Sequence, residues 1–374
     1  MLPHQRVFIR GLWSFSVFLG VLVYLYYSRN IHPRQTINVI GEMLSSGSNL
    51  DTRNSLEIQL GALPLSPAEI LVVRQKTGIY LDVTRAPHLQ NTILLTAANF
   101  GYLEMYKNWE CHAAKLGLKW VVLAAERRAY DAIGHELAIL SDRTANLTST
   151  ATKFRDTEFN RLVCTKLHDV RRIILFAQVD VVFSDCDNVF RFDPFANGVS
   201  LGDKLRSGFY EYIAQHNEAQ HSWVDEPSEG NTGFYFISGT RKRDQISHLF
   251  KSALKECDSK PEIDDQTNFW HVFREMREGI AYSDWASSEE GNISAKGNPF
   301  KSAAFCEETI TFDENVLAYC TLDAYDHPVG NHVSLDGLVT FHANFITGHD
   351  NKVSRLKDLS LWNNISCKFS QNGS

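Results

Sequence analysis

The sequence predicts an α/β protein: one Rossmann-type domain around a mixed, mostly parallel central sheet, with a transmembrane helix in front of it. Three observations predict this. Short apolar runs at 91–97 and 118–124 flank a stretch whose apolar residues recur at helical spacing, the order of a β-α-β unit. A further apolar run at 179–184 follows a second helical stretch and delivers its end to Asp185-Cys186-Asp187. Near the N-terminus, residues 11–27 carry no charge over 17 positions.

That uncharged run is flanked by Arg6, Arg10, Arg29 and Arg34. As a helix it reaches roughly 25 Å, near the lower limit for a bilayer span, with tyrosines at one end where an interfacial belt sits. A cleaved signal peptide is the competing reading, but the exit through Tyr24-Leu25-Tyr26-Tyr27-Ser28-Arg29 offers no small-x-small cleavage site. The basic flanks are nearly balanced, so orientation comes from four Asn-x-Ser/Thr sequons, at Asn146, Asn292, Asn364 and Asn372. Glycans are added on the lumenal side, which favours a single-pass type II protein of the secretory pathway with a short cytosolic tail and a lumenal globular domain. The expected layout is a cytosolic tail at 1–10, a signal anchor at 11–27, a stem and lead-in at 28–85, the organised domain at 86–366 and a C-terminal tail at 367–374. Seven cysteines fit an oxidising compartment, with Cys306 and Cys320 a candidate pair and isolated buried thiols the alternative.

The remaining composition is that of a globular protein, 44% hydrophobic and 22% charged. A net charge of -7 excludes a nucleic-acid partner, which would need clustered surplus Lys and Arg. Residues 28–85 are weakly periodic, with Ser45-Ser46-Gly47-Ser48 and the Pro64/Pro67 pair. From 91 the pattern sharpens: a buried strand, then Tyr102, Met105, Tyr106, Trp109, Ala113 and Leu116 at helical spacing, then a second strand at 118–124. A helix is expected from about 160 to 178 and a strand at 179–184. Further strands are expected at 231–237 and 337–342, and helices at 241–257 and 265–277.

Asp185-Cys186-Asp187 is the central candidate for chemistry. On the turn leaving a parallel strand, two carboxylates at i and i+2 can converge on one hard cation, at the sheet end where open α/β folds bind ligands. Magnesium or manganese takes oxygen ligands and completes its shell with substrate phosphates, which suits a nucleotide diphosphate. The alternative is a polar loop in which both Asp cap a following helix.

Lys166, Val182-Phe183-Ser184-Asp185-Cys186-Asp187 and Asp193-Pro194 together resemble the signature of the nucleotide-diphospho-sugar transferase family, specifically its α-xylosyl-, galactosyl- and arabinosyltransferase group. The resemblance continues in family order. Thr96-Ala97-Ala98-Asn99, Tyr102 and Asn108-Trp109 are similar to its first strand and helix, and Asn231-Thr232-Gly233 and Asp265-Gln266 to its acceptor-side strand and Asp-Gln motif. Phe341-His342-Ala343-Asn344 with Gly348, Lys352, Leu356 and Trp362 is similar to its closing pattern.

The resemblance implies a GT-A fold, a divalent metal (manganese or magnesium), a nucleotide-sugar donor, in particular a UDP-sugar, a glycan or glycoprotein acceptor, and retention of configuration. It makes Asp185, Asp187 and His342 the metal ligands, with Asp185 also reaching the donor. Thr96, Ala97, Asn99 and Tyr102 then form the nucleotide pocket, and Asn231 and Gly233 bring backbone close to the sugar. Lys166 touches the donor phosphate or points to solvent. Asp265 and Gln266 lie beneath the sugar as catalytic groups, or an Asp at 264 or 265 merely caps a helix. The family carries an apolar residue and Trp after the second Asp, where this chain has Asn188-Val189-Phe190, which bears on local packing. Residues 278–336 match no motif. The rival function is a catalytically silent anchored protein that keeps the fold to bind glycans or partner proteins.

Overall fold

The computed structural model describes residues 62–78, 86–143, 149–152, 155–216, 230–241, 243–275, 317–322, 327, 335–344 and 346–363. The chain divides into Met1–Gly61 and Ala62–Ser374, and the described residues all belong to the second unit. The expected anchor at 11–27 and the sequons at Asn146, Asn292, Asn364 and Asn372 lie outside the described residues, as does Cys306. Among the described residues, no helix is long and apolar enough to cross a membrane.

The fold begins earlier than the sequence suggested. Within the expected stem, α1 (Pro67–Gln75) opens on a reciprocal capping box between Ser66 and Glu69, with Pro67 preset for the first helical turn. It buries Val73 and, with Leu65, joins the main core. The Pro64/Pro67 pair thus starts a helix instead of loosening a linker.

The first half of the domain then alternates as the apolar runs predict: β1 (Thr92–Ala98), α2 (Leu103–Lys115), β2 (Trp120–Ala124), α3 (Arg127–Ile133), β3 (Ala138–Leu140), α4 (Thr157–Ala177) and β4 (Asp180–Ser184). β3, β2, β1 and β4 pair in parallel, and their near-continuous apolar sequences follow from burial on both faces. Asp156 caps α4 by accepting from the Phe159 amide at 2.6 Å, and Gln178 ends it in the left-handed region at φ 53°.

The second half is β5 (Asn188–Phe190), α5 (Ser200–Ser207), β6 (Tyr212–His216), β7 (Gly230–Ile237), α6 (Arg243–Ser259), α7 (Asp265–Glu275), β8 (Tyr319–Thr321), β9 (Thr340–His342) and α8 (His349–Asp358). The main sheet has the order β3-β2-β1-β4-β7-β6-β8, and β5 and β9 form a separate antiparallel pair. β7 runs antiparallel to β4, which makes the sheet mixed. Strand order reverses at β1, which has the parallel strands β2 and β4 on its two sides. A crevice therefore opens at the carboxyl ends of β1 and β4, the usual ligand position of such sheets. The strand expected at 337–342 is shorter than predicted, because Gly337 sits in a turn at φ 78°.

Apolar cores cover both faces of the sheet. Trp109 of α2 is fully buried, edge-on to Trp120 and Phe190, with its indole N–H donating to Ser184 Oγ at 3.2 Å. Phe190 thus packs soundly where the family pattern was departed from. Trp109→Ala is expected to destabilise the fold by about 3–5 kcal/mol, read as a lower midpoint in urea; an unchanged midpoint would refute this packing role. Across the opposite face, a disulfide from Cys164 to Cys257 ties α4 to α6. Cys111 and Cys320 are also disulfide-bonded, while Cys186 is a free buried thiol.

Candidate active site

β4 ends at Ser184, and the next three residues turn into β5 instead of a helix, so neither Asp185 nor Asp187 serves as a cap. The Asp185 amide donates to the Gly233 carbonyl at 2.6 Å, and the Asn188 amide closes the turn on the Asp185 carbonyl at 3.1 Å. β5 pairs with β9 in a register that sets Asn188 opposite His342. The consequence is convergence: one ligand atom each from Asp185, Asp187 and His342 lie within 4.8 Å of one another. His342 Nε2 is 3.3 Å from Asp187 Oδ1.

Two carboxylates and an imidazole are a donor set suited to a divalent cation, and a glycine keeps the space open. A Cβ on Gly233 would lie 2.3 Å from Asp185 Oδ2 and 2.6 Å from His342 Cε1, so any side chain there intrudes on the ligands. Asn231 supports this glycine by accepting from the Gly233 amide at 2.6 Å.

Two lysines neutralise the acidic centre. Lys352 of α8 pairs with Asp187 Oδ2. Burial pushes the Asp187 carboxyl up, but Lys352 and His342 outweigh it and hold the group well below the usual carboxylate range. Lys166 of α4 is buried, not solvent-facing, with Nζ 3.4 Å from Asp185 and 3.1 Å from Asp265. Burial opposes its charge, and Asp185 and Asp265 more than compensate, so the ammonium is held above its ordinary range. The Asp265 carboxyl, conversely, is raised, by burial first, although Lys166 pulls the other way. Lys166→Ala is expected to cost about 3–5 kcal/mol by leaving buried acids unpaired. Arg127→Ala, in an exposed pair with Asp131 at 2.9 Å, should leave stability nearly unchanged, because solvent screens such a pair. Equal shifts in thermal midpoint for the two variants would contradict this ranking.

Helix capping at α7 falls to Asp264, which accepts from the Thr267 amide at 2.8 Å. Asp265 is left facing Lys166 and Thr232, whose hydroxyl donates to it at 3.0 Å, and Gln266 accepts from the Thr232 amide at 3.2 Å. Asp185, Asp187, His342, Lys166, Asn231, Gly233, Asp265 and Gln266 all line one cleft of about 400 Å³, with Ala97, Asn99 and Tyr102. Thr96 does not line it. It is fully buried one residue earlier in β1. Asn99 accepts from the Tyr102 amide at 3.1 Å and donates to the Thr150 carbonyl at 3.0 Å, which shapes the pocket rim. The Tyr102 ring meets His349 edge-on at 5.5 Å between centroids.

Sequence reasoning assigned no role to Thr232, Gln215 or Lys352, although Lys352 was visible within the closing pattern. A second acidic group, Asp142, His168 and Asp169, also brings possible ligand atoms together. There Arg172 already supplies the cation, 3.4 Å from Asp142 and 3.6 Å from Asp169, while the Leu63 amide donates to Asp142. That cluster fastens the N-terminal edge of the domain.

The nucleotide-diphospho-sugar transferase family model matches residues 118–356. Among solved structures, the chain is similar to galactosyltransferase LgtC in complex with donor and acceptor sugar analogues, at 14% identity and TM-score 0.31, covering 48% of this chain and 69% of that one. It is similar to the apo bifunctional glycosyltransferase WbbM at 13% identity and TM-score 0.30, covering 49% of this chain and 37% of that one. It is also similar to the glycosyltransferase GlyE of Streptococcus pneumoniae TIGR4 at 11% identity and TM-score 0.30, covering 73% of this chain and 64% of that one. No curated protein sequence matches.

Proposed function

The chain belongs to the nucleotide-diphospho-sugar transferase family, and from that premise we propose that it moves a sugar from a UDP-type donor to a hydroxyl of a glycan or glycoprotein, with retention, on the lumenal face of the Golgi or ER membrane. The observation that carries this reading is the convergence of Asp185, Asp187 and His342 around Gly233 at the mouth of the cleft. A donor set of this kind suits manganese or magnesium. When bound, such a cation neutralises the diphosphate as it leaves.

The chain's own residues then divide the work. Tyr102 presents an aromatic ring to the nucleotide end of the cleft, where Ala97 leaves room for a base. Lys352 holds the Asp187 oxygen that His342 does not approach, and offers its positive charge to the departing phosphates. Asp265 is held as an acceptor by Lys166 and Thr232, and this supports a role in orienting the sugar by contact. Gln266 lies beside it, with its carbonyl already engaged by the Thr232 amide.

The full-length protein should turn over one donor from a panel of UDP- and GDP-sugars, and chelation with EDTA should abolish that turnover, with manganese restoring it. Turnover that persists undiminished in EDTA would remove the metal from the reading. Lumenal placement draws support from the Cys164–Cys257 disulfide, from the uncharged run at 11–27 and from the four sequons. Expression in secretory cells should yield a species whose mobility shifts on glycosidase treatment; a chain that never acquires glycan would count against it.

A further inference from the structure

His342 has two ring nitrogens, and only a tautomer protonated at Nδ1 leaves Nε2 with a lone pair toward Asp185 and Asp187. The fold contains a device that fixes this choice. His342 Nδ1 lies 2.7 Å from Gln215 Oε1. Gln215 Nε2 lies 2.9 Å from the main-chain carbonyl of His327, an oxygen that can only accept. The Gln215 amide must therefore turn its NH₂ to His327 and its carbonyl oxygen to His342, and that oxygen in turn requires a proton on Nδ1.

The frame around this relay is rigid. Gln215 is fully buried, and β6 shifts register between Ala214 and Gln215, an irregularity that re-aims a side chain away from regular pairing. His327 is also fully buried, with its ring Nδ1 3.2 Å from Thr340 Oγ1 and its centroid 5.5 Å from the Phe234 ring. Thr340 and His342 belong to the same short strand. One buried residue thus anchors β9 through its side chain and, through its backbone oxygen, orients the amide that orients His342.

We propose that Gln215 is a positioning residue for the metal site: it holds His342 in the Nδ1–H tautomer and so presents Nε2 to a divalent cation bound with Asp185 and Asp187. The inference rests on the metal-dependent reading above, but adds a buried β6 glutamine that does not line the cleft. Outer partners of this kind fix the tautomer and ring orientation of a ligating histidine, and their loss typically weakens metal binding about 10- to 100-fold.

The test measures manganese affinity by electron paramagnetic resonance of free Mn²⁺, on the full-length protein with saturating UDP. It compares wild type, Gln215→Leu, His342→Ala and the double variant. Gln215→Leu should raise the dissociation constant about 10- to 100-fold. In the His342→Ala background, the same change should alter it by less than about twofold, because a relay acts only through the histidine it positions. Thermal unfolding in EDTA checks that each variant is folded. Should the leucine fail to fold, Gln215→Met keeps the side-chain length without the amide, and the same numbers apply to it. Wild-type affinity in the single variant, or an equal loss in both backgrounds, would overturn the relay while leaving the metal site standing. No manganese binding by wild type would overturn both.

Discussion

Asp185→Asn is expected to leave a folded protein with turnover reduced by about three orders of magnitude or more. A bound cation stabilises developing charge by several kcal/mol, and each 1.36 kcal/mol is tenfold in rate. Stability should change little, for a reason visible in the ion pairs. Lys166 is 3.1 Å from Asp265 and 3.4 Å from Asp185, so removing one carboxylate still leaves its ammonium a partner. Asp185 is also the more exposed acid of the centre, with a side chain 31% accessible against 7% for Asp187. Asp187→Asn is the less clean experiment, because it takes from Lys352 its directly bonded carboxylate and mixes loss of metal with a buried charge left unpaired. Steady-state kinetics with the preferred donor and a thermal melt test the point; metal-dependent turnover within tenfold of wild type would remove Asp185 from the ligand set.

Gly233→Ala should be nearly as damaging, although it adds only a methyl group. Gly233 does not adopt a left-handed backbone conformation, so alanine is allowed by the main chain and the penalty is steric. The new Cβ would lie 2.3 Å from Asp185 Oδ2, 2.6 Å from His342 Cε1 and 2.8 Å from Asn231 Oδ1. Asp185 can swing toward solvent, whereas His342 is fixed in the interior, so the fold survives and the ligand geometry does not. Turnover is expected to fall about 10²-fold or more, in line with the cost of roughly 1 Å of misplacement at reacting groups. Manganese affinity should fall with it, while the midpoint of thermal unfolding moves by only a few degrees. An alanine variant with wild-type affinity and rate would show that the cation sits away from Gly233.

How much of this was legible depended on how much of each element's role is carried by its own sequence. β1, β2, β4 and β7 are apolar runs buried on both faces, and α2 and α4 repeat their apolar residues at helical spacing, so each announced itself. The three-residue strands β5 and β8 are too short for any period to show and exist because of pairing partners far along the chain, whereas β9 was anticipated as part of a longer run at 337–342. The helix α1 had a readable start in Ser66, Pro67 and Glu69, but the nearby prolines were weighed as punctuation. The site divided along the same line. Asp185, Asp187 and His342 were legible through motif order, whereas Lys166 looked undecided because a lysine on a helix reads as a solvent residue until its acids are known. Gln215 gave no signal at all: a lone glutamine on a short strand becomes meaningful only when a histidine 127 residues away comes to rest against it.

The pairing of β5 with β9 also bears on when this protein acquires its activity. Lys352 and Asp187 are separated by 165 residues, and His342 reaches the acidic turn only through β9. A chain synthesised from its N-terminus has all of β1 to β4, which pair among themselves, long before those groups exist. Chains truncated before β9 lack both His342 and Lys352 and so cannot complete the centre. Activity in a nascent population should therefore report chains whose C-terminal segment has been made and docked.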